Sequence, residues 1–405
     1  MHTFFNQTFA ALKHYNYRLW FAGQLVSLFG TWMQTTAQGY LVFQLTGSPA
    51  YLGYVGFAAG IPSWLFMLYG GLTADRMSRR KLLVLTQTFM MLLAFILAAL
   101  AFTALIQPWH IILLAFLLGT ANAFDAPARQ AFVRELVERD DMTNAIALNS
   151  SMFNLAAVVG PAVAGITYAL FGPAWCFTIN GLTFVAVITA LLFMRIRPAA
   201  APVRLRSAFQ EIMIGFRYVA GEPVIRILMV NLAVVSLFGL GFITLMPAWS
   251  VNVLGGDATT NGYLFSARGA GALTGALMIA SLGRIRSKGR LMTIGSFVMP
   301  IVLVLFSTTS RLPVSMLALV GVGWGFMVIL NTSNALVQTH IPDELRGRVM
   351  GIYTLTFFGL MPVGSLLNGA LADWVGAPIT ILINGIVMLL FAAMVWLRVP
   401  SLRTF

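Results

Sequence analysis

Twelve long apolar runs, each parted from the next by a short polar break, leave this chain few folds to adopt. The runs cover 18–43, 51–73, 82–106, 110–133, 143–170, 174–196, 223–252, 261–283, 291–309, 313–339, 347–374 and 378–398. A helix needs about 20 apolar residues to cross the ~30 Å hydrocarbon core of a bilayer. Lipid offers no partner to the backbone, so runs of this kind must satisfy their own N–H and C=O groups as helices. Composition agrees, because only 9% of the residues are charged, against about 25% in a soluble domain. The expected fold class is an all-α membrane protein with twelve transmembrane helices.

The net charge of +13 would suit a nucleic-acid binder, but the charges are in the wrong places for one. Of 25 Lys and Arg, 23 fall on one side of the predicted membrane; Arg311 falls on the other and Arg268 inside a run. The breaks on the far side, at 44–50, 107–109, 172–173, 253–260, 310–312 and 375–377, hold only that one cation. Such a bias is a topology signal, not a nucleic-acid footprint. It places the basic side and, with an even number of spans, both termini in the cytoplasm, as expected of a multi-pass protein of the bacterial inner membrane. Residues 1–17 do not read as a cleavable signal peptide, and the single Cys176 excludes an internal disulfide.

The longest break divides the chain into a first bundle at 1–196, a linker at 197–222 and a second bundle at 223–405. Within the linker, Ser207 and Gln210 have capping-box spacing. Phe209, Ile212, Met213 and Phe216 then follow on one helical face, so a short amphipathic helix on the basic-side leaflet is expected, tethering the halves. The halves repeat each other at an offset of 204 residues. Gly119 matches Gly323, Gly160 matches Gly364, Gly165 matches Gly369, Gly172 matches Gly376, and Asn180-Gly181 matches Asn384-Gly385. The basic break at 76–81 has a counterpart at 284–290.

Between runs 2 and 3 lies Gly71-Leu-Thr-Ala-Asp75-Arg76-Met-Ser-Arg79-Arg80-Lys81. This order resembles the loop between the second and third spans of the major facilitator superfamily, with Ser78 where that family usually has a second Gly. The resemblance implies two pseudo-symmetric six-helix bundles, alternating access, and a central cavity lined by spans 1, 4, 7 and 10. The stretch from Asp125 to Phe132 resembles the span 4 motif of the bacterial drug- and siderophore-exporter branch, which includes enterobactin exporters. Gly160-Pro161 followed by Gly165 resembles the antiporter signature, which marks exporters more than importers; a packing role fits it equally. Two departures stand out. Ala157 occupies a place where the family often has Arg, and Thr31 one where some branches have Asp.

Ionisable groups within spans are costly and mark function or a structural pair. Asp125 and Arg129 share a helical face, with Asp125 about 6 Å inside the basic-side interface. Asp125 is either a proton acceptor or, with Arg129 and Asp75, part of an inner gate, and its shallow depth favours the gate. The gate is expected to comprise Gly71, Asp75, Arg76, Arg79, Arg80 and Arg129 in the first half, facing Arg346 and Arg348 in the second. Asp75 would clamp onto the positive N-terminus of span 11. Arg268, about 10 Å from the far face, is either a snorkelling cation or, as preferred, a cavity cation for an anionic substrate group. Gln24, Ser27, Thr31, Gln34 and Gln38 share one face of span 1, as a cavity wall or as interhelical hydrogen-bond partners. Asn331 and Asn334 of span 10 join this set, with Trp32, Phe238 and Phe242 as aromatic surface. Gly56 with Gly60, and Gly271 with Gly275, are expected to be sliding faces between the halves.

Four scattered histidines and one cysteine form no catalytic or metal-binding cluster, and no phosphate loop surrounds any lysine. The expectation is a monomeric secondary transporter, not an enzyme, with no cofactor and no metal. It would export amphipathic small molecules in exchange for protons. The alternatives are movement of a lipid-like solute between leaflets and, remotely, an intramembrane enzyme.

Overall fold

The computed structural model describes residues 9–196, 208–282 and 287–400. Ser207, the side chains of Phe209, Gln210 and Ile212, and the basic residues Arg284 and Arg286 lie outside the described part. The described residues form helices joined by short turns, with no strand among them. The first half comprises α1 (Tyr15–Thr46), α2 (Pro49–Arg76), α3 (Arg79–Phe102), α4 (Pro108–Leu136), α5 (Met142–Phe171) and α6 (Pro173–Phe193). The second comprises α7 (Pro223–Asn252), α8 (Ala258–Ser281), α9 (Lys288–Ser307), α10 (Leu312–His340), α11 (Asp343–Val375) and α12 (Ala377–Arg398). Eleven of these are long and apolar enough to span a membrane on composition alone. The twelfth, α1, has the length, at 32 residues; its glutamines and threonines dilute its hydropathy.

The helix boundaries follow local chemistry. Six of the twelve carry proline in the first two positions, where the missing N–H leaves no bond unmade. Gly172 and Gly376, matched in the repeat, turn α5 into α6 and α11 into α12 with φ of +86° and +85°. Only glycine adopts that conformation without strain.

The matched glycines take equivalent partners, whereas the matched asparagines each tie the last helix of a half to a different neighbour. Asn180 Nδ2 donates to Gln34 Oε1 at 2.6 Å, tying α6 to α1, and its repeat mate Asn384 donates to Asn368 Oδ1, tying α12 to α11. Gly119 packs on the α2 backbone at Ala59, and Gly323 on the α8 backbone at Arg268. The internal repeat is therefore a repeat of close packing and buried amides, as membrane helices require.

One run departs from a simple helix. The middle of α7 widens into a π turn at Val235–Leu240 and tightens into a 3-10 turn at Gly241–Leu245. Asn368 Nδ2 donates to the Leu237 carbonyl at 3.3 Å and to the Gly364 carbonyl at 2.7 Å. A neighbouring side chain thus serves a backbone group that the break has freed, which is how irregular backbone persists at membrane depth.

The linker helix (Ala208–Gly221) docks on the start of α11. A Cβ on Gly215 would lie 2.8 Å from Ile352 Cδ1, and Val219 is buried beside it. Met213 and Phe216 are exposed on its other side, the arrangement of a helix that lies on a leaflet.

Candidate functional site

The two halves meet along two seams, α2 with α11 and α5 with α8, and each seam closes at one end. A Cβ on Gly53 would stand 2.9 Å from the Ser365 carbonyl and 3.1 Å from Gly369 Cα. In the other seam, a Cβ on Gly165 would meet Thr259 Cα at 2.9 Å, and one on Gly262 would meet Gly165 Cα at 3.1 Å. These are backbone-to-backbone approaches that only glycine permits. Three hydrogen bonds join the halves at this far end. Asp373 Oδ1, near the end of α11, accepts from Ser48 Oγ at 2.5 Å and from the Ala50 N–H at 3.5 Å. Thr244 Oγ1 donates to the Leu52 carbonyl at 3.0 Å.

Gly56 and Gly60 lie on the α2–α11 seam, against Ser365 and Pro362. Gly271 and Gly275 do not lie between the halves. They pack on Val320 and Trp324 of α10, within the second half. The seam face of α8 lies roughly half a turn around the helix from the expected one and uses Gly262 and Gly269, the latter against Ala157 and Val158 of α5. Gly160 packs on Trp32 of α1, while Pro161 and Gly165 sit at the α5–α8 seam.

At the basic end the seam is open. A Cβ added at Gly71, Gly347 or Gly351 would meet nothing within 4 Å. Asp75 and Arg76 are exposed, and among the described residues their side chains make no ion pair or hydrogen bond. Arg79 pairs with Glu135 at the end of α4. Arg80 donates to the Leu192 and Met194 carbonyls at the end of α6, satisfying acceptors that a helix C-terminus leaves open. These two expected gate residues are thus held within their own half. Arg346 pairs with Asp343 on the first turn of α11, and Arg348 lies beside Gly215 of the linker helix.

Asp125 is 1% exposed, between α3 and α4. Its Oδ1 accepts from Thr86 Oγ1 and Gln87 Nε2, both at 2.9 Å, and its Oδ2 lies 3.6 Å from Arg129 Nε. Thr86 and Gln87 were legible only as part of the polar triplet Thr86-Gln87-Thr88 in a largely apolar run, and Glu135 only as the first of several acids after another.

The polar stripe of α1 is buried: Gln24, Ser27, Gln34 and Gln38 are each under 9% exposed. Gln34 is taken up by Asn180, while Gln24 Nε2 has no partner among the described residues. Thr31 is partly exposed and bonds back to the Ser27 carbonyl. Asn331 and Asn334 of α10 are partly exposed, Asn334 accepting from Gln338 at 2.6 Å. Of the expected aromatics, Phe242 belongs to the core of the second half, beside Phe306, and is fully buried. Trp32 packs edge-on against Phe153 of α5.

Arg268 lies deeper than its apolar run implied. Asp257 caps α8 by accepting from the Thr260 N–H at 3.0 Å, so the helix begins at Ala258. Ten residues at 1.5 Å each then put Arg268 about 15 Å down, at mid-membrane. It shares a stripe with Asn261, Phe265 and Ala272. Asn261 and Ala272 are buried, and exposed Tyr263 and Leu277 mark the opposite, lipid side. Its Nε is buried without a partner, and no carboxylate among the described residues pairs with the guanidinium. Snorkelling ends at an interface, which a mid-membrane position on an inward face does not reach.

A twelve-helix chain whose halves close at one end along two glycine seams, with the α2–α11 seam open at the other, has the architecture of a carrier. Residues 6–404 match the transmembrane secretion effector family. The chain belongs to that family, within the major facilitator superfamily. Among its relatives is the multidrug efflux pump Tap of Mycolicibacterium fortuitum, 27% identical over 92% of this chain and 93% of that protein. The staphyloferrin A transporter of Staphylococcus aureus is 22% identical over 91% and 92%. The enterobactin exporter EntS of Shigella flexneri is 24% identical over 97% and 93%. Solved structures share the fold. A bacterial homologue of the lysosomal transporter Spinster, inward-facing and unoccupied, aligns with a TM-score of 0.71 at 13% identity over 96% of this chain and 97% of that one. The nucleoside transporter NupG aligns at 0.73 and 16%, over 95% and 98%.

Proposed function

We propose that this family member is a monomeric secondary exporter in the bacterial inner membrane. Its basic end and both termini face the cytoplasm, and it carries amphipathic small molecules outward by alternating access. Proton antiport is the proposed drive. The gate is the α2–α11 seam, with Asp75 free in this inward-open state and docked on the N-terminus of α11 when that end closes. The observation that carries the reading is Arg268. A guanidinium at mid-membrane with no acid of its own is costly to leave so. An anionic group on the cargo removes that cost only while cargo is bound. The drug and siderophore exporters among the relatives support the direction and the cargo class. Asp125 is the candidate proton carrier, in competition with its visible role as a strut between α3 and α4.

The test is flux into proteoliposomes under an imposed pH gradient, with carboxylate-bearing siderophores and neutral dyes as cargo. Arg268→Ala is expected to lower anionic flux about tenfold or more, the worth of a hydrogen bond to a charged group, and to leave neutral dye flux near the parent's. Equal loss for both cargo types would remove Arg268 as the anion reader. Flux indifferent to the gradient in parent and Asp125→Asn alike would remove the proton.

A further inference from the structure

Away from both seams, α7, α9 and α12 line a small open notch. Its wall includes Asn231, Thr293, Ser296, Phe297, Val395 and Trp396. Asn231 is 5% exposed, and its Nδ2 has no hydrogen-bond partner among the described residues. A buried amide donor without an acceptor is costly in hydrocarbon. Thr293 donates its hydroxyl proton to the Gly289 carbonyl at 2.8 Å, so it has no proton left to donate into the notch. The notch runs from near the basic-side surface toward the middle of the membrane. Asn231 lies eight residues past Pro223 and Val395 three before Arg398, about 12 Å and 5 Å from the basic ends of their helices. It therefore opens within the leaflet on the basic side.

Cations stand at the basic ends of α9 and α12, two of the three helices that line it. Lys288, Met292 and Ser296 form one row on α9, and Arg290, Thr293 and Phe297 another. Each row runs from a cation to the notch wall. Arg398 stands one turn beyond Val395 on α12. None of these three cations has an ion-pair partner among the described residues.

We propose that the notch holds an anionic phospholipid of that leaflet. Its phosphate sits among Lys288, Arg290 and Arg398, and an ester carbonyl accepts from Asn231 Nδ2. The start of an acyl chain lies along Phe297, Val395 and Trp396, and the rest stays in the bilayer. Each part of the lipid answers a separate feature: the net charge answers the cations, the ester the orphan amide, and the chain the apolar wall. A neutral phospholipid lacks the first, and a soluble anion lacks the other two. Basic pockets between transmembrane helices on the cytoplasmic side suit such headgroups.

Native mass spectrometry of the full chain tests this, with equal amounts of phosphatidylglycerol and phosphatidylcholine in the detergent. The parent is expected to retain phosphatidylglycerol preferentially. Arg290→Gln and Lys288→Gln should each cut that retention about fivefold, the effect of one cation near a charged surface, with phosphatidylcholine unaffected. Ser296→Phe, which fills the notch and leaves the charges, should cut it as well. Melting temperatures in lipid-free detergent establish that the variants are folded, and exposed Arg290 is the safest of them. Equal retention of the two lipids by the parent overturns the proposal. So does phosphatidylglycerol retention unchanged in both Arg290→Gln and Ser296→Phe. Displacement of the lipid by inorganic phosphate would reduce the site to a plain anion site and overturn it too.

Discussion

The two ends of the α2–α11 pair carry the same parts in opposite states. At the far end, Asp373 near the C-terminus of α11 reaches the N-terminus of α2, bonding Ser48 and Ala50. At the basic end, Asp75 near the C-terminus of α2 is exposed and its side chain bonds nothing among the described residues. Each helix thus ends in a carboxylate and begins with the positive end of its dipole, which favours an anion there. If Asp75 docks on α11 as Asp373 docks on α2, and the halves rock as rigid bodies, this pair of antiparallel helices would hold a latch at each end, of which only one could close at a time.

The strongest way to break this comparison is to pry open the closed end. Gly369→Leu forces a side chain where a Cβ alone would lie 2.7 Å from Gly53 Cα. Overpacking of this kind costs about 1–3 kcal/mol, a roughly 5- to 150-fold loss of the closed state. Flux should fall accordingly, and disulfide yield between Ser48→Cys and Asp373→Cys should fall with it. Normal flux with normal crosslinking would mean that the seam is slack. Asp373→Ala is milder, removing about 1 kcal/mol of hydrogen bonding and shifting the populations about fivefold away from this state. Spin-label distances between Met77→Cys and Glu344→Cys, both exposed at the basic end, should shorten. Asp75→Asn should act in the opposite sense, lengthening that distance and lowering flux about two- to fivefold, the worth of a charge at a helix N-terminus. If the two substitutions moved the distance in the same direction, the paired-latch reading would fail.

The carboxylate at the basic end was legible in the chain as a candidate latch, whereas the bonded one at the far end was not, for a physical reason. Asp75 announces itself by the cations around it, whereas Asp373 sits among apolar residues two positions before a helix end. Its partner Ser48 is 325 residues away, and a single serine before Pro49 reads only as a helix start. The spans themselves were legible to within a few residues, because length and hydropathy are set locally. So were the repeat glycines, although their contacts were not. Which face of a helix meets which neighbour is a tertiary choice, hence the misassignment of Gly271 and Gly275. The depth of Arg268 was misjudged by about 5 Å because the Asp257 cap extends α8 beyond its apolar run. The stripe on α1 was seen correctly as one face, but that face turns mostly into the packing of its own half.

The smallest predicted effect concerns how the open end stays ordered within each half. The N-terminal segment is laced to α5 and α6 at the basic end: Lys13 Nζ and His14 Nε2 both lie 2.7 Å from Asp141 Oδ2. Tyr17 donates to the Ala145 carbonyl at 2.8 Å, and Asn16 exchanges two hydrogen bonds at 2.9 Å with the backbone of Arg195. The hydrogen bond to Asp141 raises the Lys13 ammonium above its ordinary 10.5. A raised lysine contributes fully at pH below 10.5 and loses that contribution as pH climbs through the raised value. Amide protection of Ala10–Lys13 should therefore fall under strong alkali, and again in acid below the ordinary 3.8 of an aspartate, where the Asp141 carboxylate, held lowered by its hydrogen bonds to Lys13 and His14, takes up a proton. Lys13→Met should loosen this segment slightly, since the ammonium is exposed and screened by salt, while leaving the Met77–Glu344 spin-label distance where it was. A change in that distance would show that the lacing within the first half feeds the gate between the halves, and the two ends of α2–α11 would then no longer be the whole switch.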